Sequence, residues 1–332
     1  MRDVARAAGV SLATVSYVVN RGPKPVGEGT RQRVVAAMHR VGYRAGQRTR
    51  SRTRSRTIGA IVPDPTNSFF TQALAGIESV VDEPGHMLVV ASSNDDPERE
   101  LKALHALGRA RVDGVILTPT GDVPNEVDRL RSRGVPVVLM DRDGGDTHLS
   151  RVVMDNYGAA FRATRLLIES GHKRVALVNG PERISTARER LRGYRDALEK
   201  AGMKLDERYV RLGPFTADHG RRSTLDLLSL PRRPDAIFSS SVILTSGVLW
   251  SLRARRLRWP EDIAVVGFGD AAWAELVTPT LTVVEQPARQ LGEVAARLLL
   301  SSREDATEGQ QLVLESQLVL RESHRRPEDG GG

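Results

Sequence analysis

Residues 3–20 read DVARAAGVSLATVSYVVN and predict two short helices joined by a tight turn. Residues 3–8 are rich in alanine and form the first helix, which Gly9 ends because glycine tolerates a left-handed turn. Ser11 offers a side-chain oxygen to free backbone N–H groups, so a second helix is expected over residues 12–20. The stretch therefore predicts a helix-turn-helix.

Apolar residues in the second helix recur at helical spacing and predict the face on which it packs. This stripe consists of Val15, Val18 and Val19. A third helix is predicted from about residue 27 to residue 41, because apolar side chains again recur three or four positions apart. Its predicted buried face consists of Val34, Val35, Met38 and Val41.

Positive charge is concentrated in the same part of the chain. Residues 1–57 contain thirteen Lys or Arg and two Asp or Glu, a net charge of +11, whereas the whole chain carries +8. Only five of the 49 basic residues are lysine, so a genomic preference for arginine contributes to the arginine content. Such a preference does not explain why the positive charge is concentrated at one end of the chain. The distribution is typical of a nucleic-acid-binding head on a nearly neutral body.

The composition favours a soluble protein with no cofactor and no metal. The 332-residue chain is 40% hydrophobic and contains no cysteine, which excludes disulfides, cysteine-ligated metals and thiol catalysis. Its seven histidines show no metal-ligand spacing. No apolar run reaches the roughly 18 residues of a membrane span and no signal-peptide core is found, so a cytoplasmic, nucleoid-associated protein is expected.

From Ile58 onward, short apolar runs alternate with helical stretches. Continuous runs of this kind predict parallel strands covered by helices on both faces, which is a doubly wound α/β fold. About 270 residues suffice for two lobes with a ligand cleft at the carboxyl ends of the strands. The predicted strands are IGAIV (58–62), MLVVA (87–91), GVIL (114–117), PVVLM (136–140), RVVM (151–154), RVALV (174–178), AIF (236–238) and IAVV (263–266).

The headpiece sequence closely resembles the DNA-binding domain of the LacI/GalR family of bacterial repressors. The resemblance rests on DVARAAGVSLATVSYVVN and on the strings VGEGTRQRV and GYR that follow. It implies that Leu12, Ala13 and Tyr17 read bases in the major groove, the alternative being a three-helix bundle that serves only for packing. It also implies contacts with the DNA backbone from Ser11, Thr14, Ser16, Asn20, Arg31 and Tyr43.

Because of Tyr17, this chain is expected to prefer an operator sequence different from that of relatives with arginine at this position. Many family members have arginine at this position, where it can pair bidentately with guanine, and tyrosine cannot reproduce that fork. Leu12 and Ala13 are expected to contact thymine methyl groups. Relatives usually have a threonine that caps the first helix. Met1 occupies the position that follows this threonine, so the natural start of the protein is expected upstream of Met1.

Residues 48–57 read RTRSRTRSRT and have no apolar face, so they are expected to be disordered without a polyanion. Relatives typically carry here a leucine that wedges into the minor groove, but this chain has no leucine between Gly42 and Ile58. Arginine insertion into a narrow minor groove is the expected substitute, and a passive tether is the alternative. The arginines concerned are Arg48, Arg50, Arg52, Arg54 and Arg56.

The α/β part resembles the regulatory domain of the same family, which is similar to two-lobed, type I periplasmic sugar-binding proteins. The matching strings are VPDPTNSFF, ARVDGVIL, SGHKRVALVNG, ERLRGYRDAL and DIAVVGFGD. The resemblance implies that an effector, a sugar or sugar derivative, binds between the lobes at Phe69, Phe70, Asp155, Arg190, Phe215 and Asp270. The alternatives are ordinary core positions for the phenylalanines and a solvated helix position for the arginine.

Two polar positions of the family's pocket are changed in this chain. Relatives commonly read Gly-Phe/Tyr-Asp-Asp after IAVV, whereas this chain has Gly269 before Asp270. Where Asn-Asp is frequent, it has Ser241 and Val242. A sugar ring held by paired carboxylates and amides is therefore less supported, and an acidic ligand on Arg190 is an open alternative.

The resemblance divides the chain into a headpiece (1–46), a hinge (47–57), an effector-binding and dimerisation domain (58–324) and a disordered tail (325–332). Lobe 1 is predicted over about 58–156 and 287–313, and lobe 2 over about 157–286 and 314–324. The segment after Arg321, ESHRRPEDGGG, has no apolar heptads, so a tetramerising coiled coil is not expected. A homodimer on a pseudo-palindromic operator of double-stranded DNA is expected instead, with no membrane partner.

Two other classes of protein compete with this interpretation. IAVVGFGDAAW contains a G-x-G-x-x-A string after a predicted strand, and Glu285 follows, which superficially matches a dinucleotide-binding enzyme. The span before Pro279 leaves little room for a crossover helix, so no enzymatic activity is predicted. A periplasmic binding protein would fit the body alone, but it explains neither the basic headpiece nor the missing signal peptide.

Overall fold

The computed structural model describes residues 2–20, 26–40, 56–145, 148–301 and 309–325 of the chain. Contacts divide the chain into two units, Met1–Ser55 and Arg56–Gly332. The hinge arginines before Arg56 and the tail after residue 325 lie outside the described residues.

The first unit contains the three predicted helices. They are α1 (Arg2–Ala8), α2 (Leu12–Asn20) and α3 (Glu28–Arg40). Their core is small, and α2 contributes Val15 and Val18 as predicted, while the side chain of Val19 lies outside the described part. The buried core residues are Val4, Ala8, Val15, Val18, Val34 and Ala37.

The buried face of α3 differs from the prediction. Val34 is fully buried, but Val35 is 42% exposed, and Ala37 takes the next core position. Residues three apart share a helical face, whereas adjacent residues are turned from each other by about 100°. The prediction was therefore wrong for Val35 and right for Val34 and the partly buried Met38. Val41 is outside the described residues.

The turn between α1 and α2 follows the predicted chemistry. Gly9 has a φ of +64°, which places it in the left-handed region. The N–H of Val10 donates to the carbonyl of Ala5 (3.1 Å). Ser11 Oγ accepts a hydrogen bond from the N–H of Thr14 (3.1 Å), so Ser11 is the predicted N-cap.

The second unit contains two six-stranded sheets. The strands of the first are β1 (Thr57–Val62), β2 (Met87–Ser92), β3 (Gly114–Leu117), β4 (Val137–Asp141), β5 (Ser150–Met154) and β11 (Gln311–Leu314). Their order is β11-β5-β4-β3-β1-β2, and every pairing is parallel.

The second sheet is arranged in the same way. Its strands are β6 (Val175–Asn179), β7 (Val210–Leu212), β8 (Ala236–Ser239), β9 (Ala264–Phe268), β10 (Thr282–Glu285) and β12 (Gln317–Val319). Their order is β12-β10-β9-β8-β6-β7, and only the β10–β12 pair is antiparallel.

Helices cover both faces of each sheet, which explains the continuous apolar runs. The first sheet packs on one face against α4 (Ser68–Val81) and α11 (Ala288–Ser301) and on the other against α5 (Pro97–Ala110) and α6 (Glu126–Ser132). The second sheet is covered by α7 (Asn156–Glu169) and α8 (Ser185–Lys200) and, opposite, by α9 (Ala217–Leu228) and α10 (Val242–Ala254).

The chain passes between the two sheets three times. It leaves the first sheet after β5, returns after β10, and crosses again between β11 and β12. Each sheet with its helices is one lobe, and the three crossovers connect lobe 1 (first sheet) with lobe 2 (second sheet). None of the helices in the described ranges is long and apolar enough to cross a membrane.

The segment after β9 does not have the structure that a dinucleotide fingerprint requires. A bound pyrophosphate needs a helix that starts at the glycine-rich turn. Here the four-residue 3₁₀ helix Ala272–Glu275 follows Gly269, and the chain then enters β10. The geometry therefore argues against the enzyme alternative at this motif.

Candidate functional site

The N-terminal half of α2 presents the side chains that were predicted to read bases. Leu12 is 46% exposed and Ala13 is exposed, although neither is polar. Tyr17 lies one turn after Ala13 and is half-buried. Because Val15 and Val18 occupy the opposite, buried face, α2 offers a surface that a partner can contact without disturbing the core.

The residues predicted to contact the DNA backbone are only partly described. Ser11 is exposed, and its Oγ lies 2.8 Å from Oγ1 of the half-buried Thr14, so both hydroxyls sit at the start of α2. Arg31 is exposed in the first turn of α3, Ser16 is half-buried, and Asn20 is the last residue of α2. Tyr43 and Arg48, Arg50, Arg52 and Arg54 lie outside the described residues.

Arg56 belongs structurally to the second unit. Its carbonyl accepts a hydrogen bond from the N–H of Met87 (2.6 Å), which attaches it to the start of β2. Its side chain is exposed. Among the hinge arginines, Arg56 is thus fixed at the edge of the first sheet.

The two lobes line a cavity that opens to solvent. Its lining residues come largely from the loops at the carboxyl ends of strands in both sheets, as expected for a doubly wound fold. They are Pro63, Asp64, Asn67, Phe69, Phe70, Asp95, Asp141, Arg142, Thr186, Arg190, Phe215, Ser241, Val242 and Gln286.

The three predicted aromatic residues all line this cavity. Phe69 and Phe70 begin α4 and meet edge to face, with ring centroids 5.0 Å apart. Asn67 starts the helix by accepting a hydrogen bond from the N–H of Phe69 (3.1 Å). Phe70 also belongs to the core of lobe 1, whereas Phe69 and Phe215 are half-buried and leave part of each side chain exposed at the cavity.

Arg190 is a buried cation at the cavity wall. It is 4% exposed, which rules out the solvated alternative. Its Nε donates to Asn156 Oδ1 (2.9 Å), its Nη1 donates to the carbonyl of Ser240 (2.6 Å), and its guanidinium stacks on Phe268 at 3.8 Å. Burial lowers the pKa of Arg190 to about 10, and the nearby carboxylate of Asp141 opposes this effect. Arg190 therefore stays charged at neutral pH without a salt-bridge partner among the described residues.

Asp141 and Arg142 are functional candidates that the sequence reasoning missed. Asp141 ends β4 in the left-handed region (φ +69°) and is buried, and desolvation raises the pKa of its carboxyl group. Arg142 is 4% exposed, and its Nη1 donates to Asp95 Oδ1 (2.6 Å) and to the carbonyl of Pro119 (3.0 Å). Both follow the predicted strand PVVLM directly, so polar residues after that strand were the available signal.

Two of the predicted effector-binding residues, Asp155 and Asp270, are not among the residues that line the cavity. Asp155 caps α7 by accepting a hydrogen bond from the N–H of Gly158 (2.7 Å) and pairs with Arg162 (3.5 Å). Asp270 accepts two hydrogen bonds from Arg321, at 3.0 and 2.8 Å. Both carboxylates are engaged in structural contacts.

Polar contacts join the two lobes beside the cavity. The N–H of Asp143, in lobe 1, donates to Ser185 Oγ at the start of α8 (3.1 Å). Arg188 Nη2, in lobe 2, donates to Asp143 Oδ2 (3.2 Å). The lobes therefore touch next to the ligand cavity, where a bound molecule could alter their relative position.

Comparison with known proteins assigns both units. Residues 1–45 match the family model of bacterial regulatory proteins, lacI family, and residues 55–318 match the model of periplasmic binding proteins and the sugar-binding domain of the LacI family. The ribose operon repressor of Escherichia coli K12 is 35% identical over 90% of this chain and 92% of its own length. Catabolite control protein A of Priestia megaterium is 34% identical over 90% of each chain.

A solved structure is similar over nearly the whole chain. It is a complex of the transcriptional regulator CelR with cellobiose, 35% identical, and the match covers 97% of this chain and 98% of that one with a TM-score of 0.75.

Proposed function

Since the chain belongs to the LacI family of bacterial regulatory proteins, we propose that it represses genes of carbohydrate or related metabolism under the control of a small molecule bound between its lobes. The single observation that carries the proposal is that one chain joins a helix-turn-helix with an exposed α2 surface to a two-lobed unit with a polar cavity. Neither a metabolic enzyme nor a periplasmic carrier needs both parts.

The proposed base-reading residues are Leu12, Ala13 and Tyr17, because Leu12 and Ala13 are exposed on α2 and the half-buried Tyr17 follows Ala13 by one turn. The proposed backbone contacts are Ser11, Thr14, Ser16, Asn20, Arg31 and Tyr43. The hinge arginines add electrostatic affinity and are proposed to enter the minor groove. The protein is proposed to act in the cytoplasm, on the nucleoid.

The effector is proposed to be a sugar or a sugar derivative. The names of two relatives mention ribose and cellobiose, and the cavity has the parts that such ligands require. Arg190 would donate hydrogen bonds to hydroxyl groups of the ligand, and Asp141 would accept hydrogen bonds from them. The rings of Phe69 and Phe215 would cover an apolar face of the ligand. The ligand changes operator affinity only through different affinities for the DNA-binding and non-binding forms.

A second copy of the chain is the proposed partner for the exposed edge of the first sheet. β2 lies at that edge, and Met87, Val89 and Val90 are exposed on it, with Met87 at 67%. Exposed apolar edge strands invite pairing and are usually covered. A homodimer would present two headpieces to a pseudo-palindromic operator.

Changing Tyr17 to arginine is expected to alter which operator is preferred. Arginine at this position can pair bidentately with guanine, an effect worth about 1–3 kcal/mol per base pair, so sites with guanine at the contacted position should gain. Binding selection from a randomised operator library would detect the shift. The control is Thr14→Ala, which should weaken all sites about equally because a backbone contact carries no sequence information. Equal loss on all sequences for Tyr17→Arg would assign Tyr17 a purely structural role.

Replacing Arg50, Arg52 and Arg54 with glutamine is expected to flatten the dependence of operator affinity on salt. Each lost phosphate contact lowers the log–log slope by about 0.9, because fewer counterions are released. Titrations between low and high salt would measure the slope. A matched control changes Arg109, Arg131 and Arg133, which are exposed in lobe 1, and removes the same net charge. If both triple variants keep the original slope, the segment is a passive tether.

A further inference from the structure

Gly269 and Val242 share one space in lobe 2. Gly269 is buried after β9 with a φ of +94°, and its N–H donates to the carbonyl of Val284 (2.7 Å). A β-carbon added to Gly269 would overlap Cγ2 of Val242 and lie 3.1 Å from Gln286 Oε1. Side chains rarely adopt this φ, so both the backbone and the neighbouring valine exclude a larger residue at 269. Val242 therefore fills the space that a side chain at 269 would occupy.

Val242 makes this part of the cavity wall apolar. It is the first residue of α10, is half-buried, and lines the cavity together with the half-buried Phe215. The neighbouring hydroxyl of Ser241 caps α10 by accepting a hydrogen bond from the N–H of Leu244 (3.2 Å). A ligand hydroxyl directed at Val242 would lose its water without gaining a partner on that side chain.

The carboxylates that can accept hydrogen bonds from hydroxyl groups lie on the other lobe, whereas lobe 2 offers the uncharged polar groups of Thr186, Ser241 and Gln286. The carboxylates that line the cavity, within the described ranges, are Asp64, Asp95 and Asp141, and all three belong to lobe 1. Asp95 is paired with Arg142 at 2.6 Å. Arg142 also lies 3.9 Å from Asp141, so the three carboxylates face two buried cations, Arg142 and Arg190. The remaining charge of the cavity is negative, which disfavours an anionic ligand.

We propose that the cavity selects an uncharged polyhydroxyl ligand that presents a carbon without a hydroxyl group to Val242. Such a carbon is a deoxy position or an alkyl substituent. The hydroxyl groups of the ligand then face Asp141 and Arg190, and the apolar carbon packs against Val242. Val242 is a specificity-determining residue, and Gly269 is the residue that makes room for it. This inference rests on the proposed effector site and names the class of its ligand.

Matched pairs of sugars test the inference on the full-length protein by titration calorimetry. The pairs are D-fucose with D-galactose, L-rhamnose with L-mannose, and methyl β-D-glucoside with D-glucose, and D-galacturonate is the anionic probe. We expect the tightest binder to be a deoxy or methyl member, with an affinity about 10–100-fold higher than that of its hydroxylated partner. D-galacturonate should bind more weakly than D-fucose.

Two variants test whether Val242 causes the preference for the deoxy or methyl sugar. Val242→Asn offers an amide to the extra hydroxyl and should reduce the ratio within the best pair to about threefold or less. Val242→Ala keeps the wall apolar and should keep the preference while weakening both members. Operator binding without sugar is measured for each variant, because a variant that still binds the operator is folded and dimeric.

Several results would overturn the inference. They are a hydroxylated partner or D-galacturonate as the tightest binder, no binding by any of these sugars, or a preference that Val242→Asn leaves unchanged. In each case normal operator binding would leave the proposed function intact. Failure to bind any operator, both without and with the sugars, would instead overturn the proposed function.

Discussion

Replacing Arg190 with alanine is expected to abolish the response to the effector and to leave ligand-free operator binding nearly unchanged. The guanidinium group is buried, charged, and held by Asn156, Ser240 and Phe268, so it is oriented before a ligand arrives. A hydrogen bond from a charged group contributes about 1.5–3 kcal/mol, and the loss of two such bonds to a ligand lowers affinity by about 100-fold or more.

Fluorescence anisotropy of a labelled operator, titrated with protein in the presence and absence of sugar, would measure this effect. The alanine variant also leaves the acceptors Asn156 Oδ1 and Ser240 O unpaired, so its thermal melting must be followed. Arg190→Gln keeps most of the volume and serves as a second variant. The matched control is Arg192→Ala, because Arg192 is exposed on the same helix. If Arg190→Ala responds to the effector normally, the ligand site lies elsewhere.

Val15→Asp is expected to remove specific operator binding without affecting the binding of the effector. Val15 is fully buried in a core to which the described part of the headpiece contributes six buried residues, and a domain of fewer than 60 residues has little stability to lose. A buried, unpaired carboxylate costs several kcal/mol, which exceeds what such a core can supply. Affinity for the operator should fall to the nonspecific level, about 1,000-fold or more below the specific one.

The second unit provides the internal reference for this variant. It contains the effector cavity and has its own core, so calorimetric binding of a sugar should stay within about twofold of the unmodified protein. Val35→Asp is the matched control, because Val35 is exposed on α3 and the same charge is introduced there. Specific operator binding retained by Val15→Asp would mean that α2 does not need this core to recognise DNA.

The strands and helices that could be predicted from sequence are those whose packing follows from local pattern. All eight predicted strands occur within about two residues of their predicted bounds, because their apolar runs are uninterrupted and all but the exposed edge strand β2 are largely buried between helices. The missed strands are β7, β10, β11 and β12; β7, β11 and β12 are short or exposed, whereas β10 is a buried strand of four residues. Strands whose pairing is set by distant chain segments leave little local signal.

Residues of the candidate site could be predicted from the sequence where the residue type has one plausible role at its position. Phe69, Phe70, Phe215 and Arg190 were predicted, and all four line the cavity. Asp155 and Asp270 were also predicted, but neither lines the cavity. The sequence does not show that the carboxylate of Asp155 caps a helix or that the carboxylate of Asp270 pairs with Arg321.

Other lining residues depended on geometry that no local pattern encodes. Asp141 and Gln286 reach the cavity because β4 and β10 end beside it. The role of Val242 follows from its contact with a glycine that lies 27 positions away in sequence and has a left-handed φ. Neither the contact nor the φ can be inferred from residue types alone.

The central claim is that this chain is a sequence-specific DNA-binding regulator. Its most direct test is footprinting of the full-length protein at physiological salt on the upstream region of its own gene and on neighbouring promoters. We predict protection of a pseudo-palindrome with two half-sites, and a change in that protection when one of the sugars named above is added. Uniform, sequence-independent protection of all fragments would contradict the claim.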